Sequence, residues 1–206
     1  MRMETILKVG DLSLEEFELI CSNKTIAVDT ETTGLNFIED KLCTIQINSR
    51  NFNTIIRFNS NIEYPNLTKI LQNSEIEKIF HNAVFDVSFL MKNLMIENID
   101  NIVCTKISSK IINGIKHNNS LKTLLKEYLD IEISKDLQLS NWEAKKLSNS
   151  QLEYAINDVC YLPQLWDELK RQLEKNNLLP MAKKIFDFIP TYVLLKMREI
   201  DNIFAY

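Results

Sequence analysis

The first hundred residues alternate between short runs typical of β-strands and segments with helical apolar spacing, and the rest of the chain is mostly helical in pattern. This alternation predicts an α/β fold, with one domain spanning residues 1–206. Strands are predicted at 25–29, 42–48, 53–58, 77–81 and 99–104, and helices directly after Leu12, at 66–72 and at 84–94. The presence of only 3 glycines and 4 prolines argues against a loop-rich or disordered chain.

The apolar residues, cysteines and histidines indicate the cellular compartment of the protein and the type of metal that it could bind. No apolar stretch approaches the roughly 18 residues of a membrane span, and residues 1–19 carry acids where a signal peptide needs an apolar block. We therefore expect a cytoplasmic protein whose four cysteines are reduced. The two histidines and the lack of a CxxC pair disfavour zinc. Any metal should be a hard, oxygen-bound ion such as Mg²⁺ or Mn²⁺.

Three widely separated segments carry acidic residues in positions that suit metal binding. Asp29 and Glu31 end a predicted strand and, being two residues apart, point to the same face. Asp86 falls in the first turn of the helix that follows the strand at 77–81. Tyr154 and Asp158, four residues apart, share one face of a predicted helix.

Each of these pieces alone has an ordinary structural explanation. Acids at strand ends often face solvent, acids in a first helical turn pair with the helix dipole, and a tyrosine at helical spacing usually packs in a core. The three together are much rarer by chance. Carboxylates from distant parts of a chain, combined with one tyrosine, indicate phosphodiester hydrolysis assisted by two metal ions.

A fourth segment, 133–142, combines polar side chains with a tryptophan. Lys135 and Gln138 are suited to contact phosphate and base edges. Trp142 is suited equally to stacking on a base or to ordinary packing, and the whole segment is also compatible with a plain surface loop.

The charge distribution bears on the length of a nucleic-acid substrate. The net charge is −4, with 9 basic and 15 acidic residues in 1–100 and 15 basic and 13 acidic residues in the remainder. Long polymers are usually gripped by basic surface. The balance therefore argues for a short substrate held locally, while bound cations would offset the charge of the four candidate ligands.

Taken together, these residues resemble the DEDDy 3′–5′ exonucleases of the ribonuclease D-like group. The motif positions are Asp29 and Glu31 in DTETTG, Asp86 in HNAVFD, and Tyr154 and Asp158 in YAIND. Further segments are similar to the nanoRNase C type: KIFH at 78–81, FDVSFL at 85–90, CTKISSK at 104–110, ISKDLQLSNW at 133–142, QLEYAINDVCYL at 151–162 and IDNIFAY at 200–206.

The resemblance implies a ribonuclease H-like fold with a mixed sheet flanked by helices. It implies an enzyme that releases nucleoside 5′-monophosphates from the 3′ end of very short RNA, with dinucleotides favoured. The four carboxylates would hold two Mg²⁺ or Mn²⁺ ions, and Tyr154 would orient the attacking water. The family also implies a homo-oligomer, such as a ring-shaped octamer.

Nucleotide contacts are predicted for Thr30, Leu35, His81, Asn82, Phe85, Lys135 and Gln138. The backbone at Thr30, with Leu35 beyond it, is placed to cradle the terminal base and sugar, although a core leucine is equally compatible. His81 and Asn82 are near Asp86 in sequence, and His81 alone is also compatible with a structural role. Lys135 and Gln138 are candidates for phosphate contacts, including contacts across a subunit boundary.

Other functions remain open from sequence alone. A ribonuclease D-like enzyme would trim longer or structured RNA 3′ ends, and a DNA proofreading nuclease would carry the same acids, since the sequence does not show discrimination of the 2′-hydroxyl. A non-catalytic nucleic-acid-binding module is a third class. It is disfavoured because such modules have usually lost motif acids, and all five positions are filled here.

Overall fold

A six-stranded mixed β-sheet organises the chain, and the computed structural model describes residues 5–49, 52–134, 136–200 and 203. The strands are β1 (Thr5–Val9), β2 (Thr25–Thr32), β3 (Leu42–Ser49), β4 (Phe52–Arg57), β5 (Glu77–Phe80) and β6 (Ile102–Cys104). The helices are α1 (Leu14–Asn23), α2 (Pro65–Leu71), α3 (Ala83–Leu94), α4 (Thr105–Asn113), α5 (Leu121–Leu129), α6 (Asn149–Cys160), α7 (Leu162–Lys175) and α8 (Leu179–Lys196).

The strand order places β2 in the interior of the sheet. The order is β1-β4-β3-β2-β5-β6, in which β2 pairs antiparallel with β3 and parallel with β5. Helices flank this sheet, which confirms the predicted α/β fold with a mixed sheet. Because β2 is interior, the acidic end of its sequence lies in the middle of the sheet rather than at an edge.

Strand β3 is buried along its whole length although its sequence alternates between apolar and polar residues. Ile45 and Ile47 face the layer that contains α1, where Thr54 of β4 donates a hydrogen bond to Glu16. The opposite face carries Thr44 and Gln46, and helix α6 packs over it against β2, β3 and β4. A polar sheet face is therefore enclosed beneath α6.

Helix α6 has a well-defined beginning. Ser148 accepts a hydrogen bond from the Gln151 backbone N–H, and the Gln151 side chain accepts one from the Ser148 N–H, which forms a capping box. The Gln151 amide also donates to Ser140 and to the Asn141 carbonyl oxygen. These bonds tie the start of α6 to the preceding loop and fix how the helix sits on the sheet.

The structure departs from the predicted elements at three places. Strand β1 was not predicted, β2 continues to Thr32 rather than ending at residue 29, and the last strand begins at Ile102 rather than at residue 99. Strand β1 lies at the edge of the sheet, pairs in parallel with β4 and contains no buried position. Its sequence TILKV is apolar at Leu7 and Val9, but both side chains are exposed, so these apolar residues do not mark a buried strand face. Within the described residues, no helix is both long and apolar enough to cross a membrane.

Candidate active site

Three carboxylates from β2 and α6 converge beside the sheet. Asp29 and Glu31 project from the same face of β2, and Asp158 faces them from α6. One oxygen from each of the three lies within 4.8 Å of the others. Carboxylate oxygens are the donors preferred by Mg²⁺ and Mn²⁺, so the arrangement fits a hard divalent cation.

Asp86 joins this group from the other side of β2. It lies in the first turn of α3 and is 2 % exposed. The Thr30 hydroxyl, on the opposite face of β2 from its neighbours Asp29 and Glu31, donates a 2.7 Å hydrogen bond to Asp86 Oδ1. Asp86 is outside the tight three-carboxylate group but close enough that its negative charge raises the pKa values of both β2 acids.

Three of the four acids have strongly raised pKa values. Burial, followed by repulsion from Asp86, Asp158 and Glu31, raises the pKa of Asp29 well above its usual value. Burial and the charges of Asp158 and Asp86 raise the pKa of Glu31 to about 9. Burial raises the pKa of Asp86 to about 7, although hydrogen bonds from Thr30 oppose the shift. Without a bound cation, these carboxyl groups therefore keep their protons to a higher pH than usual. A bound cation would remove this effect by compensating their negative charge.

Tyr154 lies one turn before Asp158 on α6, and its ring is buried. The ring contacts Trp142 with centroids 6.0 Å apart and belongs to an apolar cluster with Ile55. Burial, together with the charges of Asp158 and Glu31, raises the pKa of the Tyr154 phenol. The phenol therefore keeps its proton and acts as a hydrogen-bond donor held rigidly by packing.

The structure decides between the two interpretations of Trp142. The side chain is 2 % exposed and packs with Tyr154, Ile55 and Leu147. The interpretation of Trp142 as a base-stacking residue is therefore wrong, because its ring faces are covered by protein. Its role is to support the ring of Tyr154.

A cavity of about 230 Å³ adjoins the first turn of α3. Three residues predicted to contact nucleotide, Leu35, Asn82 and Phe85, line it together. Leu35 is 85 % exposed at its edge, so it is not a core leucine. The remaining lining residues are Phe37, Val84, Ser88, Phe89 and Lys196. Because Phe85 directly precedes Asp86, the cavity and the carboxylates are neighbouring parts of one site.

The other predicted contact residues lie elsewhere. His81 Nδ1 is 3.0 Å from Thr105 Oγ1, so the ring is tied to the start of α4 rather than lining the cavity. The Thr30 side chain binds Asp86. Gln138 is exposed in the turn before α6, and Lys135 lies outside the described residues. Nucleotide contact by these four residues stays a prediction.

Five cavity residues were not predicted from sequence, and two of them, Phe37 and Lys196, lie outside α3. Lys196 Nζ lies 5.8 Å from the centre of the Phe37 ring, which joins the end of α8 to the β2–β3 loop. The same loop is held by Lys92, whose Nζ donates to the carbonyl oxygens of Phe37 and Ile38 at 2.7 and 2.6 Å. Spacing along the chain carries no signal for these contacts, since they join segments that are distant in sequence.

The sequence matches a known family of proteins over most of its length. A family model described as 3′–5′ exonuclease matches residues 11–174. The chain belongs to the 3′–5′ exonuclease family. This confirms the resemblance drawn from the five motif residues.

Two curated relatives are much longer than this chain. The exosome complex exonuclease RRP6 of Saccharomyces cerevisiae is 29% identical over 178 residues, which cover 81% of this chain and 24% of the relative. Ribonuclease D of Haemophilus influenzae is 27% identical over 166 residues, covering 79% of this chain and 40% of the relative. The chain thus spans less than half the length of either relative.

Solved structures of Brucella melitensis NrnC match the chain over nearly its full length. NrnC with bound Mg²⁺ is 34% identical with a TM-score of 0.88, covering 99% of this chain and 100% of NrnC. NrnC bound to pGG is 34% identical with a TM-score of 0.87, covering 99% of each chain. The similarity to NrnC therefore extends across the whole sheet and its helices.

Proposed function

We propose that this protein is a metal-dependent 3′–5′ exoribonuclease that releases nucleoside 5′-monophosphates from very short RNA, with dinucleotides favoured. The observation that carries the proposal is the convergence of Asp29, Glu31 and Asp158 beside Tyr154 and a nucleoside-sized cavity. The likeness to NrnC bound to pGG supports the short substrate.

The size of the cavity supports recognition of one terminal nucleoside. At about 230 Å³ it is smaller than the roughly 300–1,000 Å³ of sites that enclose drug-sized ligands. Its aromatic walls, Phe37, Phe85 and Phe89, suit a base, and Asn82 offers a hydrogen-bonding group at the edge. Exposed Leu35 is placed to separate the terminal base from the preceding one. A longer RNA gains nothing from this cavity beyond its last nucleoside.

The chemistry assigned to the site is hydrolysis of the terminal phosphodiester. Two divalent cations, Mg²⁺ or Mn²⁺, held by Asp29, Glu31, Asp86 and Asp158, would supply charge compensation for the phosphate and activation of the attacking water. Tyr154 donates a hydrogen bond that orients this water for in-line attack on phosphorus. The bond from phosphorus to the 3′-oxygen breaks, which yields a nucleoside 5′-monophosphate and a shortened RNA with a 3′-hydroxyl.

We propose in addition that the enzyme works as a homo-oligomer, of which a ring-shaped octamer is the expected form. Met181, Ile185 and Phe188 recur at helical spacing along α8 and are all exposed. An apolar stripe of this kind on a folded chain is typical of an interaction surface. The native mass of the particle tests the proposal, and a monomeric mass would refute it.

A substrate-length series tests the catalytic proposal. End-labelled RNAs from two nucleotides to about 20 would be incubated with Mg²⁺ or Mn²⁺, with matched DNA as a control for discrimination of the 2′-hydroxyl. Rapid turnover of the dinucleotide and slow turnover of the longest RNA support the proposal. Equal or faster turnover of the long RNA supports ribonuclease D-like trimming. Absence of turnover on every substrate with either metal supports a binding module.

A further inference from the structure

Gln46 occupies a position that the catalytic motifs do not explain. It lies directly opposite Asp29 in the register of β3 and β2, on the sheet face that carries both β2 carboxylates. Residues opposite one another in antiparallel strands have Cβ atoms about 4.5–5.5 Å apart, within reach of a glutamine amide. On the other side its partner is Ile55 of β4, which packs with Trp142 and Tyr154. The amide therefore lies between the β2 carboxylates and the apolar cluster that contains Ile55, Trp142 and Tyr154.

The hydrogen bonding of Gln46 is incomplete. The side chain is 0 % exposed, and its Nε2 atom is 2.7 Å from Thr44 Oγ1. Within the part of the chain that the structure describes, Gln46 Oε1 has no hydrogen-bond partner. A buried amide oxygen without a partner destabilises a fold, and methionine would fill the same space without that loss. A glutamine here points to a role other than packing.

The two ends of the amide are interchangeable by rotation about the last side-chain torsion. In the rotated form, the Thr44 hydroxyl donates to Gln46 Oε1, and the amide N–H groups take the place of the unpartnered oxygen. In this form Gln46 Oε1 has a hydrogen-bond donor, and the amide N–H groups lie on the sheet face that carries Asp29. Thr44 is itself buried and lies opposite Glu31, so Thr44 and Gln46 stand beside the two β2 acids in the register of the strands.

We propose that Gln46 is a positioning residue for Asp29: its amide accepts a hydrogen bond from Thr44 and donates one to the Asp29 carboxylate, which turns the other carboxylate oxygen toward the cation. The inference rests on the proposed metal site. A neutral donor suits this task because a lysine or arginine would compete with the cation for the carboxylate. Carboxylates that bind metals generally have such an outer hydrogen-bond partner.

Gln46→Met is the informative variant, since it keeps the length of the side chain and removes both hydrogen-bonding ends. Mg²⁺ and Mn²⁺ binding to the whole protein would be measured by isothermal titration calorimetry, without RNA. We expect binding to weaken about 10-fold, and thermal melts of the metal-free protein check that the variant is folded. In turnover assays, the metal concentration needed for half-maximal activity should rise with little change in KM for RNA.

Asn48→Leu is the matched control. Asn48 is a buried amide on the same strand and the same face, and its Nδ2 donates to Asn53 Oδ1 at 2.7 Å. Its replacement should lower the melting temperature and leave metal affinity unchanged. Thr44→Val tests the other end of the network and should weaken metal binding in the same direction as Gln46→Met, which keeps the inference testable if that variant fails to fold.

Unchanged metal affinity in folded Gln46→Met, or equal weakening in Asn48→Leu, overturns the inference and leaves Gln46 with a structural role. The proposed function fails in a different way. If the wild-type protein binds Mg²⁺ but hydrolyses no RNA of any length, the enzymatic proposal is refuted, while the calorimetric comparison still decides the role of Gln46.

Discussion

Thr30 and Asp86 are joined by a 2.7 Å hydrogen bond that links the interior strand β2 to the first turn of α3. Both side chains are buried. Thr30 lies between Asp29 and Glu31 in sequence but points to the opposite face of β2. The strand thus uses one face to present two carboxylates and the other to hold the fourth acid in place.

Thr30→Val should weaken the metal site, since valine keeps the shape of threonine and removes the donor to Asp86. We expect Mg²⁺ affinity to fall about 10-fold and the free energy of unfolding to fall by about 1–2 kcal/mol. Calorimetry and urea denaturation measure the two effects. Thr30→Ser retains the hydroxyl, so its Mg²⁺ affinity and free energy of unfolding should stay near those of the wild type. If both quantities are also unchanged in Thr30→Val, the hydrogen bond does not hold Asp86 in place.

Asp158→Asn should abolish RNA hydrolysis and stabilise the metal-free protein. The substitution keeps the side-chain shape and removes one of the charges that raise the pKa values of Asp29 and Glu31. A relief of about 1 kcal/mol corresponds to a gain of roughly 2–4 °C in melting temperature in EDTA, and added Mg²⁺ should no longer raise it. Asp187→Asn, at an exposed site on α8, controls for net charge. A lower melting temperature of Asp158→Asn in EDTA would contradict the view that repulsion among the carboxylates destabilises the metal-free protein.

The raised pKa values predict that the metal-free protein loses stability as pH rises. In the unfolded chain, carboxyl groups titrate near pH 4, whereas in the folded protein burial raises the pKa of Asp86 to about 7 and that of Glu31 to about 9. Between these limits the folded state binds more protons than the unfolded state, so the free energy of unfolding falls with increasing pH.

Urea denaturation at about pH 5, 7 and 9 in EDTA should show this decline, and saturating Mg²⁺ should flatten it because the cation replaces the protons. Asp158→Asn should have a shallower decline than wild type. If the free energy of unfolding in EDTA stays constant or rises across this pH range, the result contradicts the raised pKa values of Asp86 and Glu31.

The parts of the site that could be predicted from sequence are those with a local signature. The apolar run before Asp29 defines β2, and the four-residue spacing of Tyr154 and Asp158 places both on one face of α6. Strand β1 has no such signature, because its apolar residues Leu7 and Val9 are exposed and Lys8 lies on the less exposed face, so the alternation does not mark a buried face. The fold class therefore follows from the sequence, whereas the full strand count does not.

Contacts between distant segments are the part that sequence could not provide. The cavity combines the β2–β3 loop, α3 and α8, so Lys196 becomes part of it only through tertiary packing. Trp142 was open to two interpretations because burial, which decides between stacking and packing, depends on where α6 settles. Gln46 appears on β3 as one polar residue in an alternating strand until its register with Asp29 is known.

Tyr154→Phe should lower kcat strongly with little effect on KM or stability. The ring contact with Trp142 is retained, and only the hydroxyl that orients the attacking water is lost. Steady-state kinetics on a dinucleotide, with thermal melts as the fold control, measure this. Near-wild-type kcat in Tyr154→Phe would remove the tyrosine from the mechanism.

Lys92→Met should raise KM for short RNA and leave kcat nearly unchanged. Lys92 Nζ holds the carbonyl oxygens of Phe37 and Ile38, and this loop carries Leu35 and Phe37 at the cavity. If the loss of these two hydrogen bonds costs about 1 kcal/mol of binding free energy, KM should rise roughly fivefold. Steady-state kinetics with a dinucleotide measure the effect, and Lys110→Met removes the same charge from α4, outside the cavity lining. A fall in kcat at constant KM would place the effect of Lys92 at the carboxylates instead of the cavity.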